Sequence, residues 1–146
     1  MQTFSDVLSV VHLKMLREES GISDEVISAR GCRTITDHKE LIDMGLAPRQ
    51  ARAPGLLLPL HTTDGTVLDC VYRPDSPRVA KDKTRKYELK AGQGVRLDCP
   101  PVCRDQFADA KIPLWLTAGQ EKADSLLGGD LSRMPAINHA EEKLKR

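Results

Sequence analysis

Two apolar runs on either side of an Asp-Gly pair constrain the fold of this chain most strongly. The first run is GLLLPL at residues 55–60, and the second is TVLDCVY at residues 66–72. Asp64 and Gly65 lie between them, and such a pair readily adopts the positive φ angles of a tight hairpin turn. The sequence therefore predicts an antiparallel hairpin in the middle of the chain, with its turn in the TTDGT segment.

The region before this hairpin is predicted to be helical. An apolar stripe at helical spacing indicates a first helix and consists of Val7, Val10, Val11, Met15 and Leu16. Ser23 is the predicted cap of a second helix, because its hydroxyl can accept a bond from a free backbone amide. Asp37 and Glu40 resemble a capping box for a short third helix. The glycines at 21, 31 and 45 are predicted to end these three helices.

A strand, a glycine turn and a helix are predicted near the end of the chain. IPLWLT has the pattern of a buried strand, AGQ makes a turn, and EKADSLL forms a short amphipathic helix. This order is typical of an α/β unit. The turn at Gly119 either presents backbone amides to an anion or simply reverses the chain. The tail HAEEKLKR is highly charged, and we expect it to be solvated or frayed.

A cluster of basic residues lies between the hairpin and this unit. Six cations fall within thirteen positions, offset only by Asp82 and Glu88: Arg78, Lys81, Lys83, Arg85, Lys86 and Lys90. The whole chain carries a formal charge of +1, so any attraction to phosphate must be local. The cluster is either a flexible loop that contacts a nucleic-acid backbone or a solvated hairpin tip. Tyr72 and Tyr87 either stack on bases or are half-buried in strands.

Other candidate sites are weak. The histidines, at 12, 38, 61 and 139, form no helical pair and do not adjoin a nucleophile. The cysteines, at 32, 70, 99 and 103, lack the spacing of a zinc knuckle; we interpret them as reduced structural thiols, with a redox or metal role for CPPVC as the alternative. No apolar run approaches the roughly 20 residues of a membrane helix, and the first residues do not resemble a signal peptide. The default prediction is a cytoplasmic protein.

Metal-dependent phosphoryl chemistry requires clustered carboxylates. The chain contains no Asp-x-Asp pair, and its adjacent acids, such as Glu18-Glu19 and Asp24-Glu25, fall on predicted helix surfaces. The sequence therefore predicts neither a metal site nor a catalytic acid.

Taken in order, these motifs resemble the start of the bacterial primase catalytic core. That core has an apolar strand ending in Pro, an Asp/Gly turn, a strand ending in Arg and a basic Lys-Tyr segment, which match Pro59, Asp64, Gly65, Arg73, Lys86 and Tyr87. GISDEVISARG resembles the segment before this core, and PLWLTAGQEKADSLL resembles the opening of a Toprim domain. The resemblance runs from Val10 to Leu127 and is closest to a primase-like, Toprim-related domain family of phages, plasmids and mobile elements.

The resemblance implies an α+β fold with three parts: a helical lead-in at residues 1–54, a primase-core-like β region with a basic loop at 55–111, and a partial Toprim-like strand–turn–helix with a charged tail at 112–146. It also implies DNA replication with Mg²⁺, either primer synthesis or a helicase-primase step. However, Ala118 occupies the position of the usual Toprim Glu, and the later Asp-x-Asp strand is missing. We therefore expect a degenerate or truncated copy that needs no cofactor.

Three functional hypotheses follow. The first is a non-catalytic primase remnant that binds single-stranded DNA or another nucleic acid through Arg73, Arg78, Lys81, Lys83, Arg85 and Lys86. The second is a structural or protein-interaction module, and the third is primase activity completed by a partner chain. In a complete Toprim sheet the strand IPLWLT would be buried on both faces. Without its neighbours its edge is expected to be exposed, which predicts self-association or marginal stability.

Overall fold

Short helices and strands alternate along the chain in the computed structural model, which describes residues 7–127 and the backbone of residues 136–139. The first half contains α1 (Val10–Lys14), continued by a π-helical turn (Met15–Glu19), α2 (Asp24–Arg30), β1 (Arg33–Ile35) and α3 (His38–Asp43). The second half contains β2 (Gly55–His61), β3 (Val67–Pro74), β4 (Arg78–Ala80), β5 (Lys83–Arg85), β6 (Leu97–Asp98), a 3₁₀ helix (Pro101–Gln106), β7 (Trp115–Thr117), α4 (Gln120–Leu127) and β8 (Ala136–His139). This mixture confirms the predicted α+β class.

The ends of the predicted helices follow local chemistry. The Ser23 hydroxyl accepts from the Val26 amide, and Gly31 ends α2 in the left-handed conformation at φ 73°. Asp37 caps α3 by accepting from the Lys39 amide at 2.8 Å. The predicted capping box is only half formed, because the Glu40 carboxylate instead pairs with the Arg33 guanidinium at 2.6 Å.

The predicted apolar stripe of the first helix is wrong at two positions. Val10 and Val11 are 82% and 71% exposed, whereas His12 is buried. Ser9 caps α1 by accepting from the His12 amide at 3.2 Å, and the buried face runs through Leu8, His12 and Leu16, one position away from the predicted stripe at its start. The buried His12 ring lies between the Thr34 hydroxyl and Asp75, each 2.7 Å away, and ties α1 to β1 and to the end of β3.

The strands form three small sheets. In the first, β2 lies between β1 and β3 and is antiparallel to both. The second is the β4–β5 hairpin, and the third has the order β6-β8-β7, in which β8 is antiparallel to β6 and parallel to β7. The predicted hairpin is β2–β3, with Gly65 at φ 88° in its turn. Strand β1 was not predicted, so the lead-in is not wholly helical.

Apolar clusters cover both faces of the first sheet. Leu56 and Leu58 of β2 pack with Leu16 and Val26 of the N-terminal helical region. Leu57, which points the other way, packs with a second cluster that contains Ile35, Leu41, Leu46, Ala51 and Tyr72. Every residue of β2 is buried, because a strand covered on both faces accepts a continuous apolar run rather than an alternating one.

The third sheet is only partly covered. Trp115 and Leu116 of β7 are 46% and 63% exposed, although β7 pairs with β8 on one side. The α4 helix follows β7 directly, which confirms the predicted strand–turn–helix unit. Strand β8 was not predicted, and the charged tail beyond it lies outside the described residues. Within residues 7–127 and 136–139, no helix combines the length and apolar character that a membrane crossing demands.

Candidate nucleic-acid interface

The basic segment after β3 is a β-hairpin rather than the flexible loop that we predicted. Strands β4 and β5 pair antiparallel, with Arg78 opposite Arg85 and Ala80 opposite Lys83. Lys81 and Asp82 form the turn at φ 51° and 59°, the pair of positive angles that a two-residue hairpin turn requires. Only the alternative interpretation of this segment, a hairpin tip, anticipated the observed structure.

Four cations of this hairpin and its continuation face solvent: Lys81, Lys83, Arg85 and Lys86. None of them forms an ion pair with the residues that the structure describes. Asp82 is the one acid between Arg78 and Tyr87. The hairpin therefore presents a local excess of positive charge on a chain that is nearly neutral as a whole, and we call this surface the basic hairpin.

Arg78 anchors the base of the basic hairpin. Its guanidinium pairs with the Glu88 carboxylate, which is 3% exposed and also accepts from the Gln50 amide at 3.0 Å. The hydrogen bonds to Glu88 raise the pKa of Arg78. The backbones of Glu88 and Tyr72 exchange two hydrogen bonds, which join this anchor to β3. Phosphate contact by Arg78 stays a prediction, and a phosphate there would compete with a buried carboxylate.

An open cleft of about 640 Å³ adjoins the basic hairpin, and we call it the Arg73 cleft. It lies between the end of β3, the residue after β5, and the turn from β7 into α4. Its lining residues are Glu19, Ser20, Arg73, Lys86, Thr117, Glu121, Lys122, Ser125 and Leu126. Arg73 and Lys86, both predicted phosphate contacts, therefore meet here, whereas Lys81 and Lys83 lie at the far end of the hairpin.

Glu121 is held between two donors of this cleft. Arg73 Nη1 donates to Glu121 Oε1 at 2.6 Å, and the Tyr87 hydroxyl donates to Glu121 Oε2 at 2.7 Å. Lys86 Nζ lies 5.3 Å from the centre of the Tyr87 ring, and the Arg73 guanidinium carbon lies 5.9 Å from it. Partial burial and the bond to Glu121 raise the pKa of Tyr87, so its hydroxyl stays a donor at neutral pH.

These contacts decide the interpretation of the two tyrosines. Tyr87 is 38% exposed, and the Lys86 and Arg73 cations lie against its ring, so its surface is not an open platform for a base. Tyr72 is 1% exposed and donates to the Arg52 carbonyl at 2.8 Å. Burial raises the pKa of Tyr72 to about 12. Neither ring therefore favours base stacking, and any affinity for a strand must come mainly from phosphate contacts.

The residues near the expected Toprim position do not fit Mg²⁺. Ala118 is exposed between the end of β7 and the turn at Gly119, and its methyl group cannot ligate a metal. The parallel neighbour β8 places Asn138 beside Thr117, and no carboxylate occurs in its sequence. Glu121 is held by Arg73 and Tyr87. Among the residues that the structure describes, no group of three potential ligands could hold a metal ion.

The two remaining buried carboxylates of this region are already paired. Asp98 and Asp124 both bind the Arg30 guanidinium, with Arg30 Nη1 2.7 Å from Asp98 Oδ2 and Arg30 Nε 3.0 Å from Asp124 Oδ2. Arg30 and Asp98 are wholly buried, and Asp124 is 3% exposed. Burial raises the pKa of Asp124, although Arg30 opposes this effect. This cluster fastens α2, β6 and α4 together.

The four cysteines are free thiols, and their structural role stays a prediction. Cys32, Cys99 and Cys103 are buried, and burial raises the pKa of Cys32 to about 12 and that of Cys99 to about 11. A thiol with such a pKa is a poor nucleophile at neutral pH.

Sequence analysis missed Glu121 and Lys122 as members of the site. Both lie in the first turn of α4, where acids and bases are common on a solvated helix face. Glu121 is 48 positions from Arg73 and 34 from Tyr87 along the chain, so no local spacing signals these contacts. The position of Glu121 three residues after Ala118 was the only available hint.

Comparison with known proteins identifies the fold. No protein-family model matches the chain, and no curated protein matches it. Several solved structures do. The DnaG catalytic core has 17% identity and a TM-score of 0.59, with 88% of this chain and 47% of that chain covered. The DnaG primase catalytic domain bound to ssDNA has 16% identity and a TM-score of 0.59, with 89% and 46% covered. The E. coli primase catalytic core has 16% identity and a TM-score of 0.54, with 88% and 47% covered.

The chain thus spans about half the length of the primase cores that it resembles. The match confirms the predicted fold class, and it takes in 88% of this chain. At these low identities the likeness concerns the fold. Over nearly all of its length, this chain has a primase-core-like fold that corresponds to about half of such a core.

Proposed function

We propose that this chain is a non-catalytic, primase-like protein that binds single-stranded DNA through the basic hairpin. The observation that carries the proposal is the exposure of Lys81, Lys83, Arg85 and Lys86, which form no ion pairs with the described residues. Cations in this state attract a phosphate backbone and release its condensed counterions on binding. Membership of a primase-like family of phages, plasmids or mobile elements is part of the same proposal.

The choice of single-stranded DNA follows from the fold. One solved primase catalytic domain with a similar fold is bound to ssDNA, which supports this choice of ligand. The shortage of free aromatic surface predicts binding with little sequence preference and a steep dependence on salt.

The non-catalytic part of the proposal rests on the residues near Ala118. An alanine stands at the expected acid position, and the nearest carboxylate, that of Glu121, is engaged by two donors. Primase activity completed by a partner chain requires that chain to supply the metal-binding carboxylates. Mg²⁺-dependent nucleotide incorporation by the purified protein alone would contradict the non-catalytic assignment.

The test is fluorescence anisotropy of a labelled single-stranded oligonucleotide with a 5′-hydroxyl, titrated at several salt concentrations. We expect the triple variant K83A/R85A/K86A to flatten the plot of log affinity against log salt by about 0.7 for each phosphate that it no longer binds. The matched control is K39A/R49A/R52A, which removes the same charge from exposed positions around α3. The proposal would be contradicted if the hairpin variant kept the wild-type slope of log affinity against log salt, or if the control variant changed the slope equally.

A second candidate function is a protein-interaction module, and the exposed apolar side chains of β7 favour it. Trp115 and Leu116 of β7, and Leu114 directly before it, are each about half exposed or more, and β7 lies at the edge of its sheet. Large exposed apolar groups in a row often mark a surface that another protein covers. The protein-interaction function becomes the favoured one if no oligonucleotide binds even at low salt.

A further inference from the structure

We propose that the Arg73 cleft binds a terminal phosphate group, and that the Glu121 carboxylate is its internal competitor. The inference deepens the proposed function, on which it rests, because it assigns the end of a strand, rather than its backbone, to a site beside the basic hairpin.

The cleft already holds an anion by geometry suited to phosphate. Arg73 Nη1 and the Tyr87 hydroxyl donate to different oxygens of the Glu121 carboxylate, at 2.6 and 2.7 Å. The Arg73 and Glu121 side chains are 21% and 18% exposed, so the pair is largely shielded from solvent. Short charge-assisted bonds of this kind are the ones that proteins use to hold phosphate oxygens.

More positive charge lines the cleft than Glu121 neutralises. Lys86 and Lys122 also line it, and neither forms an ion pair with the described residues. Glu19 is the other acid of the lining, so the walls carry three cations and two anions. If Glu121 turns outward to solvent, three cations and the Tyr87 hydroxyl are left facing one carboxylate.

The charge of the ligand decides between a strand end and a strand backbone. A backbone phosphodiester carries one negative charge, as Glu121 does. Glu121 is also tethered to the fold and therefore competes at a high effective concentration. A terminal phosphate carries about 1.5 to 2 negative charges near neutral pH and three strong acceptor oxygens. Only the terminal group therefore offers the four donors of the cleft more negative charge and more acceptor oxygens than the Glu121 carboxylate does.

The position of Lys86 links the cleft to the basic hairpin. It directly follows β5 and lines the Arg73 cleft at the same time. If a DNA strand runs along Lys83 and Arg85, its end therefore reaches the Arg73 cleft. The same phosphate chemistry exists in a free mononucleotide, and the experiment separates the two sources.

The test compares one 3′-labelled oligonucleotide in its 5′-phosphate and 5′-hydroxyl forms on the wild-type protein. We expect the 5′-phosphate form to bind about tenfold more tightly, the scale of one added charge-assisted contact. Arg73→Gln should reduce this preference to less than about twofold. Glu121→Gln should strengthen binding of the 5′-phosphate form, because the competitor loses its charge. The matched control is Glu18→Gln, an equal charge change at an exposed i,i+4 pair with Lys14 outside the cleft.

The possible outcomes are distinct. Equal binding of the two forms overturns the cleft inference and leaves the basic hairpin proposal standing. If neither form binds, the proposed function fails, and calorimetric titration with deoxyadenosine monophosphate decides the cleft alone: binding that Arg73→Gln abolishes supports the site, and no binding overturns it. When both forms bind with the expected preference, weak competition by the mononucleotide assigns a strand end, and competition as strong as that of the oligonucleotide assigns a free nucleotide.

Discussion

Arg30 is the residue on which the packing of the third sheet against the helices most depends. Its guanidinium is completely buried and holds two carboxylates, from β6 and from the α4 helix. Burial alone lowers the pKa of Arg30, but Asp124 and Asp98 outweigh this effect and raise it. A buried ion cluster adds little net stability when it is complete, but it is costly to break, because the partners keep their charges in a medium that solvates them poorly.

We therefore expect Arg30→Met to destabilise the protein by about 3–5 kcal/mol, since it leaves Asp98 and Asp124 buried without their cation. Urea denaturation followed by circular dichroism measures the loss. The matched control is Arg17→Met, which breaks the Arg17–Asp24 pair between side chains that are 42% and 55% exposed. That change should cost less than about 1 kcal/mol. Similar losses in the two variants would contradict a special role for the buried cluster.

None of the sequence patterns revealed this cluster. Arg30 ends a predicted helix, where a basic residue is expected for reasons of the helix dipole alone. Its partners lie 68 and 94 positions further along the chain, beyond the range of any spacing rule. The same holds for the Glu121 contacts with Arg73 and Tyr87. At the residue scale, therefore, the sequence identified Arg73 and Lys86 of the candidate site and missed Lys122 and Glu121, the acid that restrains Arg73.

Elements were predictable where their signals are local. The Asp64–Gly65 turn fixes the β2–β3 hairpin, and Ser23 and Gly31 fix the ends of α2, because each acts on its immediate backbone. Strand β1 forms only because β2 offers a partner edge, and its three residues carry no periodicity of their own. The β4–β5 hairpin was interpreted as a loop because its exposed charges conceal a turn with two positive φ angles.

Two ion pairs join strand β3 to the loop before β6. Asp69 of β3 is 6% exposed, with Oδ1 2.7 Å from Lys90 Nζ and Oδ2 2.9 Å from Arg96 Nε. The bond from Lys90 is the main cause that lowers the pKa of Asp69, and Arg96 adds to it against the effect of burial. A carboxyl with a lowered folded-state pKa contributes stability above its unfolded-state pKa. The contribution is lost as pH falls through the lowered value.

We expect Asp69→Asn to destabilise the protein by about 1 kcal/mol at pH 7, since its partners are nearly half exposed and solvent screens the pairs. The difference from the wild type should shrink below about pH 4, where the unfolded-state carboxyl starts to protonate. Thermal denaturation between pH 7 and pH 3 measures both trends. Asp105→Asn, at an exposed position, is the control and should stay within about 0.5 kcal/mol at every pH. A difference that persists at pH 3 would show that packing, not charge, explains the loss.

Across the whole molecule, the distribution of charge and of exposed apolar groups separates two surfaces. The basic hairpin and the Arg73 cleft form a continuous cationic region, because Lys86 belongs to both. The third sheet instead exposes Trp115 and Leu116 of β7, with Leu114 directly before the strand and Leu97 of β6 also half exposed or more. A primase-core-like fold therefore presents a cationic surface and, separately, an apolar strand whose backbone edge is open to pairing among the described residues.

The open apolar edge predicts self-association. We expect the wild-type mass, measured by size-exclusion chromatography with light scattering, to rise with protein concentration. Leu116→Lys should weaken the association by about tenfold or more, because burying a leucine at a contact stabilises it and a lysine at a strand edge opposes pairing. Val79→Lys, at a position 70% exposed on the basic hairpin, carries the same charge change and should leave the association intact. If the wild-type protein stays monomeric at all concentrations, or if both lysine substitutions have an equal effect, β7 is not the self-association contact. Its exposed apolar residues would then be available to a different protein partner.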